Sequence, residues 1–239
     1  MIDHKKEDTS DYRQKIWIKE YINRKNLPST KNDKPSRVLV DFITQVSPKV
    51  KDFALDLGSG NGRNSIYLAK LGYKKVLGIE IVEEAIKNAK EKARSLNLDG
   101  KVKFINQSVA SKIDAPKASF DLVIDMMVMH CLTKNDRDKM IKQVKKLIKP
   151  GGYFVFYTIS TESEAAIDMI KKNPGSEETS YRFKIENDIV TEKAFAKDEL
   201  ISMLSPLKLV TLELKEEFMP AFGDIYKRAY YYGVFKKEK

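Results

Sequence analysis

The chain has 239 residues, 42% of them hydrophobic, one cysteine and a formal charge of +10. That length supports one ordinary hydrophobic core, and the single Cys131 excludes an intramolecular disulfide and fits a reducing cytosol. No apolar run reaches membrane-spanning length and the charged N-terminus lacks the apolar segment of a leader, so a cytoplasmic protein with no membrane partner is expected.

In chain order, residues 1–10 are charged and unpatterned. Asp11 reads as a cap for a helix through about residue 26, with Ile16, Ile18, Tyr21 and Ile22 among its apolar positions. Tyr12 and Trp17 on this helix admit two readings: a lid with an aromatic near a ligand, or a helix held on the sheet by its tryptophan. Residues 27–36 read as a loop and residues 37–46 as a helix. Residues 1–36 are therefore set apart as an N-terminal lid or helix segment, ahead of a main domain spanning 37–239.

Residues 53–57, FALDL, read as a short buried strand. Gly58, Gly60 and Gly62 follow, and then Ile66, Leu68, Ala69 and Leu71 resume at helical spacing, which makes a strand, a glycine-rich turn and a helix. Such a turn lets a ligand approach bare backbone, and the helix N-terminus offers unpaired N–H groups. Residues 75–80, KVLGIE, form a second strand ending in Glu80, about 20 residues past the turn, the spacing at which an acid reaches a ribose. The turn has neither the Gly-Lys-Ser/Thr ending of a phosphate-binding loop nor the G-x-G-x-x-G order of a dinucleotide site. A nucleoside bearing an amino acid, carried on an open α/β sheet, is the ligand expected.

ALDLGSGNGRNSIYLAK resembles the first motif of the class I S-adenosylmethionine-dependent methyltransferases, in particular the small bacterial enzymes of the tellurite-resistance and thiopurine methyltransferase kind. The resemblance implies an α/β fold: a doubly wound, mostly parallel, seven-stranded Rossmann-like sheet with helices on both faces and a C-terminal antiparallel hairpin. It implies S-adenosylmethionine as cofactor and S-adenosylhomocysteine as product. It also implies a cofactor site with Asp56, Gly58, Ser59, Gly60 and Arg63 around the methionine end and Glu80 on the ribose. Ile81, Ser108 and Val109 then border the adenine, and Asp125 lies near the sulfonium. Ser108 stands where the family usually carries an aspartate, so a neutral hydroxyl replaces the stronger charged acceptor there.

Residues 82–96 form an amphipathic helix, residues 101–105 a third strand and residues 120–125 a fourth. The following MMVMHCL occupies the junction that lies under the transferable methyl in the resembled family. It has no proline, which argues against amino methylation of nucleic-acid bases, and Cys131 reads as a small core residue. His130 is the side chain suited to general-base work near neutral pH, and with Asp125 it makes the candidate catalytic pair; it reads equally as a hydrogen-bonded helix-start residue. No metal-ligand set is read.

A helix over residues 136–149 is stopped by Pro150, Gly151 and Gly152, and residues 153–159 form a fifth strand. Residues 160–197 are irregular, with short extended pieces at 181–183 and 189–190. At the carboxyl edge of the sheet they read as a substrate cover or as a loop without contacts. After a short helix over 197–204, residues 207–218 and 229–235 form the closing hairpin. Its loop, 219–228, offers Phe222, Tyr226 and Arg228 to the active edge.

The function expected is direct in-line methyl transfer to a small molecule. Methylation of a protein lysine or of RNA stays open, as does a cofactor-binding module without catalysis. The positive charge is the one support for RNA, and its lysines are interspersed with acids as on solvated helix faces.

Overall fold

The computed structural model describes residues 9–24 and 32–238. Helix α1 (Ser10–Lys19) continues into a π-helical turn (Glu20–Arg24), and α2 (Arg37–Val46) leads to β1 (Phe53–Leu57). Then follow α3 (Arg63–Lys70), β2 (Lys75–Glu80), α4 (Glu83–Ser95), β3 (Val102–Asn106) and β4 (Phe120–Met126). A 3-10 turn (Met129–Cys131) precedes α5 (Lys134–Leu147), β5 (Ile148–Ile159) and α6 (Glu164–Lys172). The chain ends with β6 (Ser180–Ile185), β7 (Asp188–Lys193), α7 (Lys197–Leu204), β8 (Lys208–Ala221) and β9 (Asp224–Lys236).

Seven strands form one sheet in the order β3-β2-β1-β4-β5-β9-β8, and β6 pairs with β7 in a separate hairpin. Pairings from β3 through β5 are parallel, and β9 runs antiparallel to both neighbours. The expected doubly wound sheet is therefore the one observed. Its central strands are buried on both faces, as their near-continuous apolar runs require. One core packs α5 and α7, through Met140, Val144, Leu200 and Leu204, onto Leu55, Val123 and Phe156. The other packs Leu39 and Phe42 of α2, Leu68 of α3 and Ala89 of α4 onto Ala54, Leu122 and Val155.

Four sequence expectations are corrected. Thr9 caps α1 by accepting a 3.3 Å bond from the Tyr12 N–H, so Asp11 is not the cap. Residues 25 and 26 of the expected helix, and 27–31 of the loop, lie outside the described residues. Next, α5 ends at Leu147, and β5 starts at Ile148 because Ile148 pairs with Phe120; a register shift absorbs Pro150 and the two glycines. Residues 160–197 are organised, carrying α6 and the β6–β7 hairpin. Residues 219–228 are largely strand: β8 and β9 continue to a turn at Phe222 and Gly223. Pro220 is accommodated within β8 because β8 is the sheet edge, where a missing N–H costs little.

Candidate active site

The parallel strands end together, so the segments after β1, β2, β3 and β4 meet at one carboxyl edge, where open α/β sheets bind ligands. After Leu57 the chain turns sharply, and Gly60 has φ +51. Its N–H donates a 3.0 Å bond to Glu80 Oε2, which ties the turn to the end of β2. The Ser59 N–H donates to the Ile79 carbonyl at 2.9 Å. A side chain at Gly60 would meet the Tyr21 hydroxyl, and one at Gly58 would meet Val128. The turn is thus walled by the π-helical segment on one side and by the residues after β4 on the other.

Three acids line this edge. Asp56, fully buried in β1, accepts a 2.6 Å bond from the Ser65 hydroxyl of α3 through Oδ2, while Oδ1 has no partner among the described residues. Burial pushes its pKa up to about 7, against the bond from Ser65 and the charge of Arg63. Glu80 is buried and accepts from three backbone N–H groups, those of Gly60, Ile81 and Val82. Burial raises its pKa, and those bonds partly offset the rise. Asp125, next to last in β4, pairs beside Leu57 and accepts from the Val128 N–H at 2.8 Å and the Met129 N–H at 3.1 Å. Burial again lifts the pKa to about 7 against those two bonds. Desolvation without full pairing is costly for carboxylates, so this edge suits a cationic ligand. The unpartnered Asp56 Oδ1 fits the ammonium of an amino-acid moiety, and Glu80 keeps a lone pair on Oε2 for a hydroxyl donor.

The structure brings together Asp56, Gly58, Ser59, Gly60, Glu80 and Asp125 of the expected site. Arg63 opens α3, donates to the Lys34 carbonyl at 2.9 Å and interacts electrostatically with Asp56 and Tyr21. Ile81 is half-buried beside Glu80, and its carbonyl accepts a 2.9 Å bond from the Asn106 amide at the end of β3. Ser108 accepts from the Ala110 N–H at 3.2 Å, shaping the turn after β3, and Val109 packs in the core under it.

Past β4, Met127 has φ +73, a left-handed backbone that methionine rarely adopts, and this bends the chain over Asp125. His130 and Cys131 follow, both buried, with His130 Nε2 and Cys131 Sγ 3.1 Å apart. Glu192 of β7 faces them, its Oε1 3.7 Å from His130 Nε2. One ligand atom from each of these three side chains falls within 4.8 Å of the others, a spacing that a metal ion also accepts.

Helix α1 and the insertion roof this edge jointly. The Tyr12 hydroxyl accepts a 3.0 Å bond from the Ile189 N–H, Lys19 pairs with Asp188 at 2.8 Å, and Arg13 donates to the Cys131 carbonyl at 2.8 Å. From the hairpin tip Phe222 packs on Phe183 at 5.0 Å between ring centroids, and the Tyr226 hydroxyl donates to Asp168 at 2.7 Å. Arg228 lies over the Tyr230 ring. Sequence reasoning missed Tyr21, Tyr181 and Glu192 as site residues. Tyr21 was legible only as an apolar helix position, and Glu192 only as part of the irregular stretch 160–197.

A family model described as a methyltransferase domain matches residues 49–217. The 27-O-demethylrifamycin SV methyltransferase of Amycolatopsis mediterranei is 32% identical over 115 residues, covering 48% of this chain and 41% of the relative. The ubiquinone/menaquinone biosynthesis C-methyltransferase UbiE of Rickettsia massiliae is 33% identical over 132 residues, 53% of this chain and 52% of the relative. The chain thus spans about half the length of the curated relatives it matches. A crystal structure of a SAM-dependent methyltransferase from Methanosarcina mazei superposes with a TM-score of 0.69 at 21% identity, covering 86% of this chain and 100% of that one.

Proposed function

The chain belongs to the methyltransferase domain family, whose members here are S-adenosylmethionine-dependent, and from that premise we propose that it methylates a small-molecule acceptor by direct in-line displacement. The observation that carries this reading is the pairing of two sites at one sheet edge. One is the glycine turn beside the buried carboxyls of Asp56, Glu80 and Asp125, with Asp56 Oδ1 unpartnered among the described residues; the other is the stretch after β4, covered by α1, β6–β7 and the β8–β9 tip. Among the described residues, 9–24 and the 160–197 insertion are then the cover of the rest of the main domain. The roof favours a compact acceptor, and the two curated relatives are named for methylation of 27-O-demethylrifamycin SV and for C-methylation in ubiquinone/menaquinone biosynthesis.

In this reading Asp56 and the Gly58–Gly60 backbone hold the amino-acid end of the cofactor, and Arg63 steers its carboxylate. Glu80 accepts from the ribose hydroxyls, and Ile81, Ser108 and Val109 border the base. The bound cofactor supplies an already activated methyl sulfonium. The protein then has three tasks: to align the acceptor, exclude water and neutralise the cation with Asp125. His130 lies beyond Asp125 on the acceptor side.

The test is transfer of label from methyl-labelled S-adenosylmethionine into a lysate split by size, with Gly60→Arg as the blank. Label in the small-molecule fraction, lost in the variant, is expected. Label in a protease-sensitive or ribonuclease-sensitive fraction would overturn the small-molecule reading in favour of a lysine or an RNA acceptor.

A further inference from the structure

The turn after β4 and the β6–β7 hairpin bring three metal-ligating side chains to one point. His130 and Cys131 come from the 3-10 turn, and Glu192 comes from β7. His130 Nε2 lies 3.1 Å from Cys131 Sγ and 3.7 Å from Glu192 Oε1, and one ligand atom from each residue falls within 4.8 Å of the others. His130, Cys131 and the Glu192 side chain are 3%, 6% and 16% exposed, so this is not a solvated group of surface charges. Tyr181, which bonds Glu192, packs with Ile159, Met169 and Tyr230 and keeps one side of the group dry.

We propose that His130, Cys131 and Glu192 bind a zinc ion that ties the β6–β7 hairpin to the turn after β4. A separation of 3.7 Å is too long for a hydrogen bond, so a bond from His130 does not account for the placing of Glu192 Oε1. Metal bonds do account for it. Zinc binds nitrogen at about 2.0–2.1 Å, oxygen at about 2.0–2.2 Å and sulfur at about 2.3 Å, which sets tetrahedral ligand atoms about 3.4–3.6 Å apart. The two measured separations bracket that range, and rotation of the Glu192 side chain closes the remaining sulfur–oxygen pair.

The donor set selects the ion. A thiolate and an imidazole suit zinc, whereas magnesium and calcium take oxygen ligands. Thiolate and carboxylate together balance a divalent cation, which offsets the cost of burying each charge alone. On binding, Cys131 releases its thiol proton to solvent, and the His130 ring proton stays on Nδ1, which has no partner among the described residues. Neighbouring contacts orient the other two ligands. The Tyr181 hydroxyl donates to Glu192 Oε2 at 2.7 Å and leaves Oε1 turned to His130; the two residues pair across the hairpin. Cys131 is held through its backbone, its N–H donating to the Val128 carbonyl at 2.9 Å and its carbonyl accepting from Arg13 at 2.8 Å. None of the three ligands is assigned to the cofactor, so zinc binding stands or falls separately from methyl transfer.

The test uses the full chain, stripped with a chelator and then loaded with Zn²⁺ or Co²⁺. One ion per chain is expected, displaced by Zn²⁺ but not by Mg²⁺. The cobalt form is expected to show the intense visible bands of tetrahedral Co²⁺ and a sulfur-to-cobalt charge-transfer band. Cys131 is the one thiol in the chain, so that band assigns it directly. Cys131→Ser should lose the band, and Glu192→Gln should weaken zinc binding by more than about tenfold, the scale on which even orienting partners act. His4→Gln, which removes the other histidine, should change nothing. Zinc should also slow proteolytic cutting within residues 180–193. The proposal is overturned if the wild-type cobalt spectrum lacks the charge-transfer band, or if folded Cys131→Ser or Glu192→Gln binds zinc as wild type does. An unchanged rate of cutting with zinc bound would equally remove the tie. The wild-type spectrum decides the matter even where the variants fail to fold.

Discussion

Asp56 is where the chemistry of the cofactor site is most exposed to test. Its carboxyl is lifted to about 7 from an ordinary 3.8, chiefly by burial. For a folded-state pKa raised in this way, the stabilising contribution is complete below the unfolded value and is lost as pH rises through the folded one. The free protein should therefore lose thermal stability between about pH 4 and pH 7, with Asp125 adding to the same window. Asp56→Asn should flatten that slope, which melting curves across pH would reveal. A ligand ammonium placed at Asp56 reverses the balance by favouring the carboxylate. S-adenosylhomocysteine affinity should thus rise by up to about tenfold per pH unit below pH 7 and level off above it, the limit for one coupled proton. Asp56→Asn should bind weakly with no such slope; an unchanged slope would place the proton elsewhere. The motif LDLGSGNGR made Asp56, Glu80 and the glycines legible because their spacing is fixed locally by a strand, a turn and a helix. Tyr21 and Glu192 were not legible. Each reaches the site through pairings with distant segments, Tyr21 across to Gly60 and Glu192 across to His130.

At the scale of elements, the cover is held by a few specific contacts. Tyr21 overhangs Gly60, and burial together with Glu80 raises its phenolic pKa, so it remains a neutral hydroxyl. Tyr21→Ala should leave the fold intact and speed cofactor dissociation several-fold in stopped-flow fluorescence; an unchanged rate would remove α1 from the cofactor path. The β8–β9 tip closes the far side through Phe222, which packs on Tyr181 and Phe183. Aromatic pairs contribute about 0.5–1.5 kcal/mol beyond their area. Phe222→Ser should therefore loosen the insertion without unfolding the sheet, and residues 180–193 should be cut faster in limited proteolysis with a melting temperature close to wild type. Residues 219–228 read from the sequence as a loop, and their order comes from pairing along the β8 edge as far as Ala221 with Asp224.

For the whole molecule, the order β3-β2-β1-β4-β5-β9-β8 decides where function can sit. It brings the ends of β1, β2 and β4 side by side, and at that edge the glycine turn meets three buried carboxyls, of which Asp56 keeps an oxygen without a partner among the described residues. The sheet itself was legible because its buried strands read as apolar runs and its helices as amphipathic repeats. The roof was not, because its hairpin and tip gain their order from contacts with each other and with α1. Phe156, fully buried in the core of that sheet, should cost about 3–5 kcal/mol as alanine, a loss that denaturant unfolding would detect. The most direct measurement is calorimetric titration of the full chain with S-adenosylmethionine in two buffers of different ionisation heat at about pH 6.5, below the folded-state pKa of Asp56. One site per chain, release of protons on binding and loss of binding in Gly60→Arg are the predicted result. Absence of binding in wild type, or equal binding by Gly60→Arg, would contradict the assignment of this edge as the cofactor site.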